Sequence, residues 1–263
     1  MINKLGRLDP RSPVGRVLRV PLRLIPSAAV VKVRTGLNKG ARWRVGSSIH
    51  KCWIGTYEWD MQSAVAKLVQ PGMTVWDVGA NVGFYTLAFS RIVGSQGRVF
   101  AFEPLAQNVD NLLSHLRLNA VPNAVLVQAA LGSSNGLIGF ERADLNEKGR
   151  ISQKETSYLV PTFTVDEILA QHPTSRPDFL KIDVEGAESD LLEGARGFLH
   201  DSKPLLLLAL HGRDQSERCS QLLSDIGYEL YYLNGTRISG VPADQVEIVA
   251  LPQSSANPLA GPE

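Results

Sequence analysis

The segment Val75-Trp76-Asp77-Val78-Gly79-Ala80-Asn81-Val82-Gly83-Phe84-Tyr85-Thr86 decides the fold of this chain of 263 residues. It joins an apolar strand to a helix through a turn with glycines, which let a backbone bend tightly and approach a ligand. A dinucleotide fingerprint requires Gly-x-Gly-x-x-Gly, whereas Asn81 stands between Gly79 and Gly83 here. The segment therefore predicts a ligand-binding turn of a different type.

The carboxylate of Asp77 lies at the end of the strand that leads into this turn. Such a group can accept a hydrogen bond from an ammonium or a backbone amide, but it would repel a pyrophosphate. The turn therefore favours a cationic ligand that carries no phosphate. An ordinary strand–turn–helix connection without a ligand is the alternative.

Outward from this segment, strands and helices alternate, which is typical of a doubly wound α/β fold with a mostly parallel sheet. The predicted strands are residues 74–78, 98–102, 124–128, 137–140, 179–182, 205–210, 228–233 and 246–251. The predicted helices are residues 59–69, 84–93, 106–118, 165–170, 187–198 and 217–226. Because no helix separates the last two strands, we expect one antiparallel strand at the edge of this Rossmann-like sheet.

The chain divides into three predicted parts. Residues 1–48 form a basic extension with short strands, residues 49–252 form the main domain, and residues 253–263 form a loose tail. Residues 1–51 carry twelve Lys and Arg residues and one acid, whereas the remainder carries fifteen basic and twenty-five acidic residues. The extension is interpreted as a solvated leader that balances the acidic domain, and contact with an anionic substrate or a lipid surface is the alternative.

Composition excludes several classes of protein. No apolar stretch is long enough to span a bilayer, and no apolar segment with a cleavage site indicates a secretory signal. Cys52 and Cys219 do not form a Cys-x-x-Cys spacing, so neither a disulfide scaffold nor a zinc site is expected. We expect a cytoplasmic enzyme, and no pattern indicates an oligomeric state.

Glu103 follows the second strand of the main domain, 26 residues after Asp77. An acid at this position is well placed to accept hydrogen bonds from both hydroxyls of a ribose. A surface acid that happens to follow a strand is the alternative. The glycine turn at the expected interval favours the role in binding.

Charged residues interrupt the apolar strand 179–182 and continue beyond it as Lys181, Asp183 and Glu185. A charge in a buried strand costs several kcal/mol unless it is paired. Lys181 and Asp183 share one face of the strand, so they either pair with each other or act at the site. Asp183 and Glu185 fall at the carboxyl end of the strand, where doubly wound sheets bind ligands.

His211 follows the very apolar strand 205–210 and is a candidate base, since an imidazole accepts a proton near neutral pH. A structural histidine is the alternative. The other histidines are expected on the surface or beside helices, and they are His50, His115, His172 and His200.

Together these features resemble the FkbM family of S-adenosylmethionine-dependent methyltransferases over roughly residues 50–235. The matching segments are residues 55–58, 77–86, 97–104, Asn119, 129–132, 164–167 and 181–188. The run Lys181-Ile182-Asp183-Val184-Glu185-Gly186-Ala187-Glu188 is specific to the family, whereas the glycine turn is shared by class I methyltransferases generally.

The resemblance implies a class I methyltransferase sheet with S-adenosylmethionine as its cofactor. Gly79, Asn81 and Gly83 would border the methionine part, Asp77 would anchor the turn, and Glu103 would hold the ribose. The full set implied to bind the cofactor is Asp77, Gly79, Asn81, Gly83, Tyr85, Thr86, Glu103, Gln128, Ala129 and Asp183.

The adenine end departs from the pattern of many class I enzymes, which place an acid after the third strand. Gln128 and Ala129 stand there instead. The adenine amino group would therefore meet either the backbone near Ala129 or the side chain of Gln128.

The family is associated with O-methylation of sugars, polyketides and other secondary metabolites, which implies a small-molecule or glycan acceptor. Transfer requires alignment of the acceptor oxygen and removal of its proton. The catalytic candidates are His211, Asp183 and Lys181, with either of the first two as the base. A divalent ion held by Asp183 is an alternative, but no metal is predicted, because the fifth strand ends in His211 rather than in a carboxylate pair.

Two other functions compete with this one. A nicotinamide-dependent oxidoreductase is opposed by the missing Gly-x-Gly-x-x-Gly. A non-catalytic protein that keeps the cofactor fold is opposed by the intact Asp77, Glu103 and Asp183. Nucleic acid is not expected as a substrate, since the chain has neither an Asn-Pro-Pro-Tyr nor an Asp-Pro-Pro-Tyr motif.

Overall fold

A seven-stranded sheet forms the centre of the molecule in a computed structural model that describes residues 24–142, 149–151, 158–253 and 255–260. The strands of the described residues are β1 (Val30–Lys32), β2 (Arg42–Arg44), β3 (Thr74–Val78), β4 (Arg98–Phe102), β5 (Ala124–Val127), β6 (Ala130–Leu131), β7 (Gly136–Arg142), β8 (Gly149–Ile151), β9 (Tyr158–Phe163), β10 (Phe179–Ile182), β11 (Leu205–His211), β12 (Tyr228–Tyr232) and β13 (Gln245–Pro252). The α-helices are α1 (His50–Ile54), α2 (Trp59–Leu68), α3 (Phe84–Val93), α4 (Ala106–Leu118), α5 (Val165–Gln171), α6 (Glu188–Glu193), α7 (Arg196–Ser202) and α8 (Arg213–Asp225).

The central sheet has the strand order β12-β13-β11-β10-β3-β4-β5. The pairs from β11 to β5 are parallel, and β13 is antiparallel to both β11 and β12. The prediction of a mostly parallel sheet with one antiparallel strand toward its edge is confirmed, and β13 lies one position inside the edge strand β12. The strand order reverses between β3 and β10, which is where open α/β sheets bind ligands.

Apolar side chains cover both faces of the sheet, as the two-residue period of a buried strand requires. Val75 and Phe179 point to the face covered by α2 and α3, whereas Trp76 and Leu180 point to the face covered by α6, α7 and α8. The sheet is therefore doubly wound. Within the described residues, no helix is long and apolar enough to cross a membrane.

Several elements differ from the sequence prediction. The single helix expected over residues 187–198 is two helices, because the chain turns at Gly194, where a Cβ would overlap the carbonyl oxygen of Gly132. The last helix begins at Arg213, four residues earlier than predicted. The described residues also form a second sheet of order β6-β9-β7-β8, of which the sequence predicted only one strand, residues 137–140. Part of the polar segment 141–160 lies outside the described residues.

The described part of the basic extension packs against the main domain. The indole of Trp43 is fully buried and stacks on the His115 ring with centroids 3.7 Å apart. Asn38 Nδ2 donates a hydrogen bond to the carbonyl oxygen of Phe84 at 2.8 Å. The boundary at residue 48 therefore does not separate two packing units, and residues 1–23 lie outside the described part.

The tail expected to be loose is fixed at one position. The side chain of Leu259 is 1% exposed and belongs to the same apolar core as α2. Its carbonyl oxygen accepts a hydrogen bond from Lys67 Nζ at 3.2 Å. The expectation of a loose tail needs correction at Leu259, because burial of its apolar side chain holds this position against the core.

Candidate active site

A cavity of about 550 Å³ opens at the carboxyl ends of β3, β4 and β10. Its walls come from the turn after β3, the ends of β4 and β10, residues 129–131, and the N-terminal residues 46–57. A volume of this size is typical of small-molecule and cofactor sites. The cavity lies where the reversal of strand order predicts a ligand.

The glycine turn sits directly against the end of β10. Gly79 has φ +74°, a conformation that side chains rarely adopt, and a Cβ there would overlap the carbonyl oxygen of Asp183. The backbone N–H of Asp183 also donates a hydrogen bond to the carbonyl oxygen of Val78 at 3.1 Å. The glycine thus lets two strand ends meet at the floor of the cavity.

Asn81 and Glu103 join the turn to β4. Asn81 adopts φ +50°, which asparagine tolerates better than most residues, and its N–H donates to Glu103 Oε2 at 2.8 Å. Glu103 Oε1 accepts hydrogen bonds from Leu105 N at 3.0 Å and Asn108 Nδ2 at 3.1 Å. The carboxylate is 4% exposed, and burial raises its pKa although these donors oppose the rise. Since a carboxylate offers about four lone-pair positions, one remains for a ligand hydroxyl.

A buried ion pair lies beneath the turn. Lys181 Nζ is 3.7 Å from Asp77 Oδ1 and 3.3 Å from Asp183 Oδ2. Thr86 Oγ1 donates a hydrogen bond to Asp77 Oδ2 at 2.6 Å. Burial raises the pKa of Asp77, and the Lys181 ammonium limits that rise.

The same surroundings keep Lys181 protonated. Burial works to lower its pKa, but the carboxylates of Asp183 and Asp77 outweigh it, so the pKa is raised above its ordinary value. A lysine held as an ammonium cannot accept a proton from a substrate. Any part of Lys181 in catalysis would therefore act through its positive charge rather than by accepting a proton.

His211 lies among three carboxylates at the edge of the cavity. Its Nδ1 is 2.8 Å from Glu188 Oε1, and its Nε2 is 3.5 Å from Glu185 Oε2 and 3.8 Å from Asp183 Oδ1. The hydrogen bond with Glu188 raises the pKa of His211, while partial burial opposes it. The imidazole thus sits beside two residues that line the cavity.

Seven residues of the predicted site line the cavity, namely Gly79, Asn81, Tyr85, Glu103, Ala129, Lys181 and Asp183. Asp77 and Thr86 bind each other below its floor, so they support the turn without facing a ligand. Gly83 packs instead against α4, where a Cβ would lie 2.8 Å from Leu112 Cγ. His211 is not part of the cavity wall, but it lies beside Asp183 and Glu185, which are.

Gln128 requires correction. Its side chain is exposed and is not part of the cavity wall, because residue 128 follows the end of the outermost strand β5 with its side chain toward solvent. The adjacent Ala129 is buried and does line the cavity. Of the two residues predicted at the adenine end, only Ala129 therefore faces the cavity.

Sequence reasoning missed two groups of residues here. Glu188 closes the run 181–188, and its spacing from Asp183 and Glu185 was a usable signal for a shared site. Ser48, Cys52 and Tyr57 come from the N-terminal segment and line the cavity. Tyr57 lies in the segment 55–58 that resembles the family, whereas no local pattern singles out Ser48 or Cys52.

Tyr57 and Tyr85 form an aromatic wall beside this segment, with ring centroids 6.4 Å apart. Burial raises the pKa of both phenols, and the neighbouring Glu58 adds to the rise. Burial also raises the pKa of Glu58 itself. Both tyrosines therefore remain neutral hydroxyls.

The strand order, the glycine turn and the cavity at the switch point define a Rossmann-like sheet of the class I methyltransferase type. The chain belongs to the FkbM methyltransferase family, since the family model described as "Methyltransferase FkbM domain" matches residues 77–233. Family membership supports S-adenosylmethionine as the cofactor and gives no support to the oxidoreductase alternative.

Two characterised relatives are similar to this chain. It is 30% identical over 154 residues to the hexuronic acid methyltransferase AglP of Haloferax volcanii. The aligned region covers 57% of this chain and 61% of that protein. It is 30% identical over 152 residues to the methyltransferase sdnD of Sordaria araneosa, covering 45% of this chain and 58% of that protein. The matches thus span less than two thirds of each relative.

A solved structure supports the fold. The precorrin-6y C5,15-methyltransferase of Geobacter metallireducens superposes with a TM-score of 0.50 at 18% identity, covering 79% of this chain and 93% of that one. At this identity the likeness concerns the arrangement of strands and helices.

Proposed function

We propose that this protein transfers the methyl group of S-adenosylmethionine to a hydroxyl oxygen of a sugar or another small metabolite. The observation that carries the proposal is the position of Glu103. Its carboxylate ends β4, is fixed by three protein donors and faces the same cavity as Gly79 and Asp183. This is the place at which a ribose meets an acid in such sheets.

The residues of the cavity fit this cofactor. Its volume of about 550 Å³ accommodates a nucleoside with a short side chain, and apolar residues 129–131 offer a wall for a base next to Glu103. Carboxylates of Asp183 and Glu185 line the opposite part, which suits a positively charged sulfonium. A ligand that carried phosphate groups would be repelled by these carboxylates.

Bound S-adenosylmethionine supplies a methyl group that is already activated by the sulfonium. The protein has to align the acceptor oxygen with that group and exclude water, and such alignment is worth roughly 7–11 kcal/mol. As the oxygen–carbon bond forms, the oxygen–hydrogen bond breaks and its electron pair stays on oxygen. The carbon–sulfur bond also breaks, and its electron pair goes to sulfur. Asp183 and His211 lie beside the cavity and can accept the proton.

The acceptor class is proposed from the similarity to AglP, whose name gives a hexuronic acid as its substrate. The cytoplasmic location stays a prediction.

Isothermal titration with S-adenosylmethionine tests the cofactor. We expect micromolar binding, weakened at least tenfold by Glu103→Gln, because the new amide would place N–H donors against the N–H groups of Asn81 or Leu105. Glu217→Gln on the exposed face of α8 is the control and should bind as the wild type does. Binding of NAD in place of S-adenosylmethionine would overturn the proposal.

The acceptor is tested next with S-adenosylmethionine and matched pairs of hexuronic acids and neutral hexoses. Mass spectrometry should detect the gain of one CH₂ on the acid and much less on the neutral sugar. Cofactor binding without methylation of any hydroxyl compound would favour a non-catalytic protein of the same fold.

A further inference from the structure

We propose that Asp183, Glu185 and His211 form a binding site for a divalent transition-metal cation of the Mn²⁺ or Zn²⁺ type. The three side chains come from the ends of two neighbouring strands, β10 and β11. We call them the three-residue cluster. Their candidate ligand atoms all lie within 4.8 Å of one another.

The distances within the cluster are slightly longer than those between ligands that surround one ion. His211 Nε2 is 3.5 Å from Glu185 Oε2 and 3.8 Å from Asp183 Oδ1. Two ligands that are each about 2.0–2.2 Å from a common ion lie roughly 3.0–3.6 Å apart. Small side-chain movements therefore complete the site, and no backbone change is needed.

Glu188 provides a second, independent observation. It is 0% exposed, and its Oε1 accepts hydrogen bonds from Gly186 N at 3.0 Å and from His211 Nδ1 at 2.8 Å. A carboxylate that holds the far nitrogen of a histidine is the usual arrangement behind a metal-bound imidazole. In the neutral imidazole, Glu188 fixes the N–H on Nδ1 and leaves the lone pair of Nε2 toward the other two acids.

This arrangement suits a positive centre. A lone pair on Nε2 and two carboxylates converge on one point, and their attraction for a cation is stronger in a partly buried site than in water. The Lys181 ammonium is shared between Asp77 and Asp183. Glu188 Oε2 is also buried without a hydrogen-bond partner among the described residues, which adds negative charge behind the imidazole.

The ligand atoms of the three-residue cluster indicate which cations it would bind. One imidazole nitrogen with two carboxylate oxygens suits Mn²⁺ or Zn²⁺, whereas Mg²⁺ and Ca²⁺ prefer oxygen ligands throughout. Asp183 and Glu185 are 20% and 25% exposed and line the cavity, so an ion has a route of entry and open coordination positions. These positions face the space in which an acceptor would lie.

The role of the ion rests on the proposed function. A cation there would hold the acceptor oxygen and lower the pKa of its hydroxyl, and the proton would leave to water through the open side of the cavity. His211 would then act as a ligand rather than as the base. The binding of the ion itself does not depend on methyl transfer.

The test uses the full chain after treatment with EDTA, titrated with MnCl₂ and followed by electron paramagnetic resonance. We expect one Mn²⁺ per chain, with spin-echo modulation from a directly bound imidazole nitrogen. His211→Gln should remove that modulation, and Glu185→Gln should weaken binding at least tenfold. Glu193→Gln, an acid on the exposed surface of α6, is the control and should leave the affinity within twofold.

Absence of binding at millimolar Mn²⁺ and Zn²⁺, or equal affinities in all variants, would overturn the proposal and leave a proton on His211 as the positive centre. Calorimetry with S-adenosylmethionine on the metal-free protein separates the two proposals. Cofactor binding without Mn²⁺ binding removes the metal site alone. Mn²⁺ binding at the cluster without cofactor binding removes the proposed function and keeps the site.

Discussion

Gly79 packs so closely against Asp183 that a single added carbon atom would overlap the Asp183 carbonyl oxygen. We predict that Gly79→Ala separates the turn from β10, because the variant combines this overlap with a left-handed φ of +74°. Stability should fall by about 3 kcal/mol or more, from overpacking added to backbone strain. Affinity for S-adenosylmethionine should fall at least tenfold. Urea unfolding and calorimetry measure the two effects.

Gly72→Ala is the matched control for backbone strain. Gly72 also has a left-handed φ, +87°, but among the described residues no atom would lie within 4 Å of its Cβ. This variant should lose only about 1–2 kcal/mol and keep its cofactor affinity. Equal losses in both variants would show that strain alone, and not the contact with Asp183, limits residue 79.

The pairing of Lys181 with Asp77 predicts strong coupling between them. Lys181→Met should destabilise the protein by about 3–5 kcal/mol, because it leaves a buried carboxylate without its ammonium. The double variant Asp77→Asn with Lys181→Met should lose clearly less than the sum of the two single variants. A double-mutant cycle by urea unfolding measures this coupling. Additive losses would argue that Lys181 is held by Asp183 alone.

Local sequence patterns were sufficient for the sheet and for part of the site. Asp77 lies near the end of β3, and Glu103 directly follows β4. Because each residue is next to a strand end in the sequence, the prediction of the strand also predicts where the residue lies in the fold. Parallel strands then bring these ends to one edge of the sheet. The same reasoning placed Asp183 correctly in the cavity wall.

The remaining parts depend on contacts between distant segments. His115 was expected on the surface or beside a helix, yet it is fully buried in α4, and Trp43 of β2 stacks on its ring. Ser48 and Cys52 reach the cavity in the same way. Strands of three residues carry too little periodicity to predict such packing.

The buried His115 predicts an acid-sensitive fold. Burial lowers its pKa from 6.5 to about 4, and its Nδ1 donates to the carbonyl oxygen of Val82 at 2.8 Å. A lowered pKa in the folded state contributes stability that is complete above pH 6.5 and is lost as the pH falls toward 4. The loss attributable to His115 should be about 3 kcal/mol between pH 7 and pH 4.

Urea unfolding at pH 7, 5 and 4 measures this contribution. His115→Phe keeps a ring against Trp43 but cannot be protonated, so its stability should fall about 3 kcal/mol less than that of the wild type over this range. His200→Phe, at an exposed position, should keep the full decrease. Identical pH dependence of the wild type and His115→Phe would contradict the prediction.

The N-terminal wall of the cavity predicts where acceptor specificity resides. Ile49 lines the cavity, is 49% exposed and precedes the matched family domain. Ile49→Trp should therefore raise the KM for the acceptor several-fold while the Kd for S-adenosylmethionine stays within twofold. Val125→Trp is the matched control, since Val125 is 47% exposed but lies on β5 away from the cavity wall. Steady-state kinetics with calorimetry separate the two constants. If Ile49→Trp weakened cofactor and acceptor equally, residue 49 would border the cofactor itself, and the acceptor would have to enter from another side of the cavity.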